Sequence, residues 1–161
     1  MNFKTKLFSL LIILMVDFCN SSKAENINSS YLNEKLLIGT WISNEINSYG
    51  FYLSTITYTA DGLKCTLGTS YNKRNVYSKS IYISKWNLHG NSLDVTVVKT
   101  STPLLAIGET LSGQVISLTE SELKTRLYST EPGFENSPIE TYKKISNAPD
   151  LTVCETAKRL L

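Results

Sequence analysis

The chain is poor in the residues from which catalytic centres are most often built. Its 161 residues include a single histidine, His89, and only three cysteines. It contains no Gly-x-Ser-x-Gly elbow, no phosphate-cradling glycine loop and no calcium-loop pattern. Ser-x-x-Lys spacing occurs at Ser70/Lys73 and Ser121/Lys124. The chemistry that uses this spacing needs both residues on one helical face, and in the extended segments read below they fall on opposite sides. His89 lies in a turn beside Gly90 with no ligand cluster around it, so neither a metal nor an acid-base role is expected of it. Asp61, Glu120, Glu122, Glu131 and Glu135 fall in turns and a loop, where acids are ordinarily solvated. The chain is therefore read as non-enzymatic, with no cofactor and no metal.

Long apolar runs are also missing. A membrane span needs about 20 apolar residues, and the one greasy run, Leu7 to Val16, stops at Asp17. With Lys4 and Lys6 before that run and Ser22 and Ala24 after it, the first 24 residues have the three-part form of a secretory signal. Cleavage is expected after Ala24, giving a single domain from residue 25 to 161 in the periplasm or secreted, with no integral membrane part. A lipid-attachment site at Cys19 fits poorly, because Asp17 and Phe18 stand where small residues are wanted. Losing Lys4, Lys6, Lys23 and Asp17 takes the net charge from +2 to zero. The remaining basic pairs, Lys73-Arg74, Lys143-Lys144 and Lys158-Arg159, are scattered, so no nucleic-acid partner is expected. Of the cysteines, Cys65 and Cys154 remain. In an oxidising compartment they read as one bridge, or else as two separate buried thiols.

What is present is β-sheet pattern. Ser29 to Leu37 has the spacing for a turn or two of helix. The period then changes to two over 41–46, 51–59, 63–71, 76–88, 92–100, 109–118, 122–129 and 139–145, segments rich in β-branched and aromatic residues. Asp61-Gly62 and His89-Gly90-Asn91 mark tight hairpins. After Pro149 the tail reads as helix, with Thr152 and Glu155 at capping-box spacing and Leu151, Cys154, Lys158 and Leu161 on one side. Eight strands joined by short turns, with no helix between them, mean an antiparallel sandwich or a closed up-and-down barrel.

A short helix, Gly39-Thr40-Trp41 entering the first strand, a meander of hairpins, a terminal helix and a cysteine in the tail together resemble the lipocalin and calycin superfamily, nearest to its small bacterial lipocalin-like members. The resemblance runs from Leu36 to Leu161. It implies an all-β, eight-stranded antiparallel barrel with a short helix before it and one after it. It also implies a floor in which Trp41, introduced by Gly39, plugs one end while a late basic side chain, Arg126 or Lys144, lies over the indole. The Thr-Asp-Tyr-like turn of the family is not legible. Cys65 comes 24 residues after Trp41, earlier than the usual start of the family's barrel-to-tail bridge, yet a Cys65–Cys154 bridge is still expected.

Eight strands enclose an interior that is either filled by side chains or wide enough for one small ligand. Alternation places Tyr52, Ile56 and Tyr58 on one face of the second strand, Tyr82 and Trp86 on one face of the fourth, and Val95 and Val97 on one face of the fifth. These seven are the candidate ligand-binding residues. An aromatic wall with a few hydroxyls suits a small apolar or amphipathic ligand, given a continuous cavity of a few hundred Å3 beside Tyr52, Tyr58, Tyr82 and Trp86. The alternative is a protein partner: small bacterial calycin barrels include periplasmic inhibitors of secreted metalloproteases, in which the barrel is a scaffold and the polar start, here Glu25 to Ser30, projects.

Overall fold

In the computed structural model the described residues are 32–47, 50–72, 77–103, 105–128 and 138–161. The expected signal segment, Cys19 and the expected Glu25 to Ser30 start lie outside them. The order of elements is helix α1 (Glu34–Leu37), strands β1 (Gly39–Asn47), β2 (Gly50–Tyr58), β3 (Leu63–Asn72), β4 (Tyr77–His89), β5 (Ser92–Thr100), β6 (Thr110–Leu118), β7 (Glu122–Leu127) and β8 (Glu140–Ser146), then helix α2 (Leu151–Leu160).

Each strand pairs antiparallel with the next, and β8 returns to β1, so the sheet closes into a barrel with no free edge. Of the two arrangements open to the sequence, the barrel is the one formed. Strand bounds fall within a residue or two of the alternating segments. Two turns explain why. Gly62 and Gly90 both take positive φ, 83° and 61°, in the left-handed region that glycine enters without steric cost. The N-terminal helix is a single turn, within the expected turn or two, started by Asn33, whose side chain accepts from the Lys35 amide at 3.1 Å.

Two apolar clusters hold the molecule. Inside the barrel, Trp41, Ile56, Tyr58, Leu88, Leu93, Val95, Val115 and Leu123 are buried together, with Leu37 of α1 closing the bottom. Outside it, α2 lays Val153, Cys154 and Ala157 over Cys65, Ile81 and Ile83. The Cys65–Cys154 disulfide joins the helix to β3. The buried stripe of α2 is therefore Val153, Cys154 and Ala157, whereas Leu151 is exposed.

The cap of α2 also differs from the expected capping box. Asp150 is the N-cap and its Oδ1 accepts from the Thr152 amide at 3.0 Å, one residue pair upstream of the Thr152/Glu155 spacing. The approach to the helix is pinned by two buried threonines: the Asp150 amide donates to Thr40 Oγ1 at 2.8 Å and Thr57 Oγ1 donates to the Asp150 carbonyl at 3.3 Å. No helix among the described residues is long and apolar enough to cross a membrane.

Candidate functional site

The floor is built by four groups from three elements. Gly39 has φ 135°, and a Cβ there would run into the Ser146 carbonyl oxygen and lie 3.2 Å from Lys144 Cε. Glycine therefore lets β8 close on β1. Trp41, two residues on, is wholly buried, and its Nε1 donates to the Leu37 carbonyl at 2.8 Å. Lys144, opposite Trp41 on β8, donates to the Leu36 and Ile38 carbonyls at 2.7 and 3.0 Å. Its ammonium stands 4.8 Å from the indole centroid, within range of a cation–π contact.

A one-turn helix leaves its last carbonyls without intrahelical partners, and Trp41 and Lys144 between them supply three donors there. Of the two basic residues considered for this place, Lys144 occupies it. Arg126 lies on β7 between Thr125 and Leu127, which face the cavity described next, so alternation turns it outward.

Above the floor is a cavity of about 110 Å3. Its wall has an apolar sector, Leu93 and Val95 from β5, Leu111 and Gly113 from β6 and Leu127 from β7, and a polar sector, Tyr58, Lys64, Tyr82, Thr125, Glu140 and Tyr142. Lys64 is the unexpected member. It is buried, and its ammonium lies 5.6 Å from the Tyr58 ring and 5.7 Å from the Tyr82 ring. Burial alone would lower its pKa, but the partial negative charge of Tyr58 and Tyr82, together with Glu140, outweighs it and the net direction is upward. The Tyr142 hydroxyl donates to Glu140 Oε2, and burial followed by that carboxylate holds the Tyr142 phenol well above its ordinary range. Burial likewise raises Tyr58, despite the opposing pull of Lys64.

Of the seven candidate ligand residues, Tyr58, Tyr82 and Val95 line the cavity together. The others stand elsewhere on the inner wall. Ile56 is buried against the floor cluster. Tyr52 sends its hydroxyl over Gly68, where a Cβ would come within 2.7 Å of it, and burial with Tyr82 and Glu140 nearby pushes its phenol up to about 12. Trp86 packs edge-on to Tyr58 with centroids 5.9 Å apart, and its Nε1 donates to the Thr59 carbonyl at 3.2 Å. Val97 is buried on β5 opposite Ser84. The cavity is thus smaller than a few hundred Å3, more polar, and displaced toward β5–β8.

Lys64, Glu140 and Tyr142 were not among the sequence candidates. In β3 the greasy positions Leu63, Cys65 and Leu67 face outward, under α2, so the strand's pattern reads inside out. One signal was available: the hairpin at Asp61-Gly62 sets Lys64 opposite Tyr58, and an inward Tyr58 requires an inward Lys64.

No family model and no curated protein matches the chain. Among solved structures, the chain is similar to a lipocalin-like protein from Bacteroides uniformis ATCC 8492, at 14% identity, over 68% of this chain and 99% of that one, with a TM-score of 0.42. The closed eight-strand meander, the indole floor under Lys144 and the outer helix strapped on by a disulfide rest on this chain's own coordinates: it forms a closed, eight-stranded antiparallel up-and-down barrel.

Proposed function

We propose that this protein is exported and binds one small amphipathic ligand inside the barrel. The observation that carries the reading is the wall of the cavity, where a buried Lys64, its ammonium beside the Tyr58 and Tyr82 rings, shares the lining with an apolar sector of Leu93, Val95 and Leu111. A fold stabilised for its own sake gains little from a buried charge, since burying an ion costs several kcal/mol unless it is well paired. A site that grips one polar group and one apolar body gains both contacts. Export is supported by the Cys65–Cys154 bridge, because such bonds persist in oxidising compartments. Binding is favoured over turnover because His89 is exposed at the end of β4 and both described cysteines are joined to each other. The reading as a scaffold for a projecting N-terminal segment turns on Glu25 to Ser30, outside the described residues.

Mass spectrometry of the full chain expressed with its own leader tests this reading. The expected result is a chain starting at Glu25, two hydrogens lighter than its reduced form, with a small molecule bound under native conditions and released on denaturation. An uncleaved chain would overturn export. Absence of any bound mass, together with no response of Trp86 fluorescence to a library of small amphiphiles, would overturn binding.

A further inference from the structure

The cavity wall holds a mismatch. Among the described residues no carboxylate oxygen comes within 4.0 Å of the Lys64 ammonium, the ion pair there being Lys124 with Glu122 on the surface. Glu140 is on the same wall but takes the Tyr142 hydroxyl. The inner surface around Lys64 is also short of partners. Ser84, directly across from Lys64 in the β3–β4 register, and Thr66, the next inward residue of β3, are wholly buried with hydroxyls that have no hydrogen-bond partner among the described residues. Buried polar atoms are almost always paired, so these two hydroxyls, on the inner face next to Lys64 in register though outside the cavity lining, mark a stretch of wall where the fold leaves bonding capacity unused.

Size narrows what could use it. A protein cavity of about 150 Å3 takes up benzene, whereas pockets for drug-sized or acyl ligands run from about 300 Å3 upward. At about 110 Å3, this one lies near the benzene class and far below the acyl class, so a single ring is the largest body it encloses and any substituent must reach toward the open mouth or the polar wall.

We infer that the ligand is a compact organic anion, a cyclic or aromatic carboxylate, whose carboxylate is held by Lys64 while its ring lies against Leu93, Val95 and Leu111. This rests on the binding function proposed above and names the ligand's class. The carboxylate gives Lys64 the direct ionic contact that Glu140, beyond 4.0 Å and taken by the Tyr142 hydroxyl, does not, accepting from the ammonium and from the Tyr82 hydroxyl. A neutral ring leaves the buried charge unmatched. A cationic one meets it with repulsion.

The test is calorimetric titration of the processed protein with benzoate, benzamide, benzylamine and laurate. Benzoate is expected to bind at least about ten-fold more tightly than benzamide, with benzylamine and laurate weaker still. In Lys64→Met the preference for benzoate over benzamide disappears, and in Lys64→Arg part of it returns. If Lys64→Met fails to fold, the ranking on the wild-type protein decides alone. Benzamide or benzylamine binding as tightly as benzoate, or laurate binding best, would overturn the anion assignment and leave the barrel a binding protein of another class. Silence from all four probes would also overturn it, and the native mass measurement would then judge the binding function separately.

Discussion

Gly39 and Trp41 show how much one missing side chain decides. At φ 135°, with the Ser146 carbonyl where a Cβ would stand, Gly39→Ala must strain its own backbone and push β8 away from β1. Pushing β8 also shifts Lys144 from the Leu36 and Ile38 carbonyls. Backbone strain of this kind costs about 1–3 kcal/mol, and a displaced hydrogen-bonded cation about 1.5–3 more. Gly39→Ala is expected to lose about 3 kcal/mol in urea unfolding, with Trp41 emission shifted to the red. A variant within about 0.5 kcal/mol of wild type would show that the seam yields without resistance. Glycine two residues before tryptophan was legible through the resemblance to lipocalins. Which cation covers the indole was not, because Arg126 and Lys144 differ in the face of the strand they occupy, and the side chain alone does not tell that.

At the scale of elements, α2 and β3 depend on one another. The helix buries only Val153, Cys154 and Ala157, too small a stripe to hold ten residues in place unaided, since short helices draw most of their stability from packing. The bridge to Cys65 spans a sequence separation of 89. In the chain-entropy model a loop of that size is worth about 4 to 5 kcal/mol, and about 2–4 is typical of measured bridges. The double variant Cys65→Ala/Cys154→Ala is expected to lose about 2–4 kcal/mol in urea unfolding and to be clipped by trypsin at Lys158 and Arg159 under conditions that leave the wild type whole. Equal protease resistance in the two proteins would mean that packing and the Asp150 cap alone secure the helix. Helix α2 is also why β3 misleads. Its outward residues are the apolar ones because a second element covers them, and the hydrophobic parity of a strand identifies the buried face without saying which buried face is the interior.

For the molecule as a whole, the interior polar groups set a response to alkali. The Tyr52, Tyr58 and Tyr142 phenols and the Lys64 ammonium all titrate above their ordinary values in the fold. A group whose folded pKa exceeds its unfolded one binds its proton more tightly in the native state. Its contribution is complete below the unfolded pKa, about 10 for these groups, and is lost as pH climbs through the folded value. Stability is therefore expected to be flat from pH 7 to 9 and to fall from about pH 10, steeply near 12, where Tyr52 titrates. Melting temperature followed against pH, with phenolate absorbance at 295 nm, checks this. Phenolate appearing near pH 10 with no loss of structure would show that the interior tyrosines are open to solvent.

The sequence by itself determined the eight strands, their hairpins, and the aromatic inner face of β2 and β4. These follow from local rules: alternation of period two, glycine where φ must be positive, and an apolar face that must be buried. The choice of Lys144 over Arg126, the outside helix that inverts β3, and the inward turn of Lys64 toward Glu140 and Tyr142 were decided only when β8 met β1. Each of these depends on which residues from distant segments come to share a wall, and a closed barrel fixes that through its register all the way round, a quantity that no single stretch of chain contains.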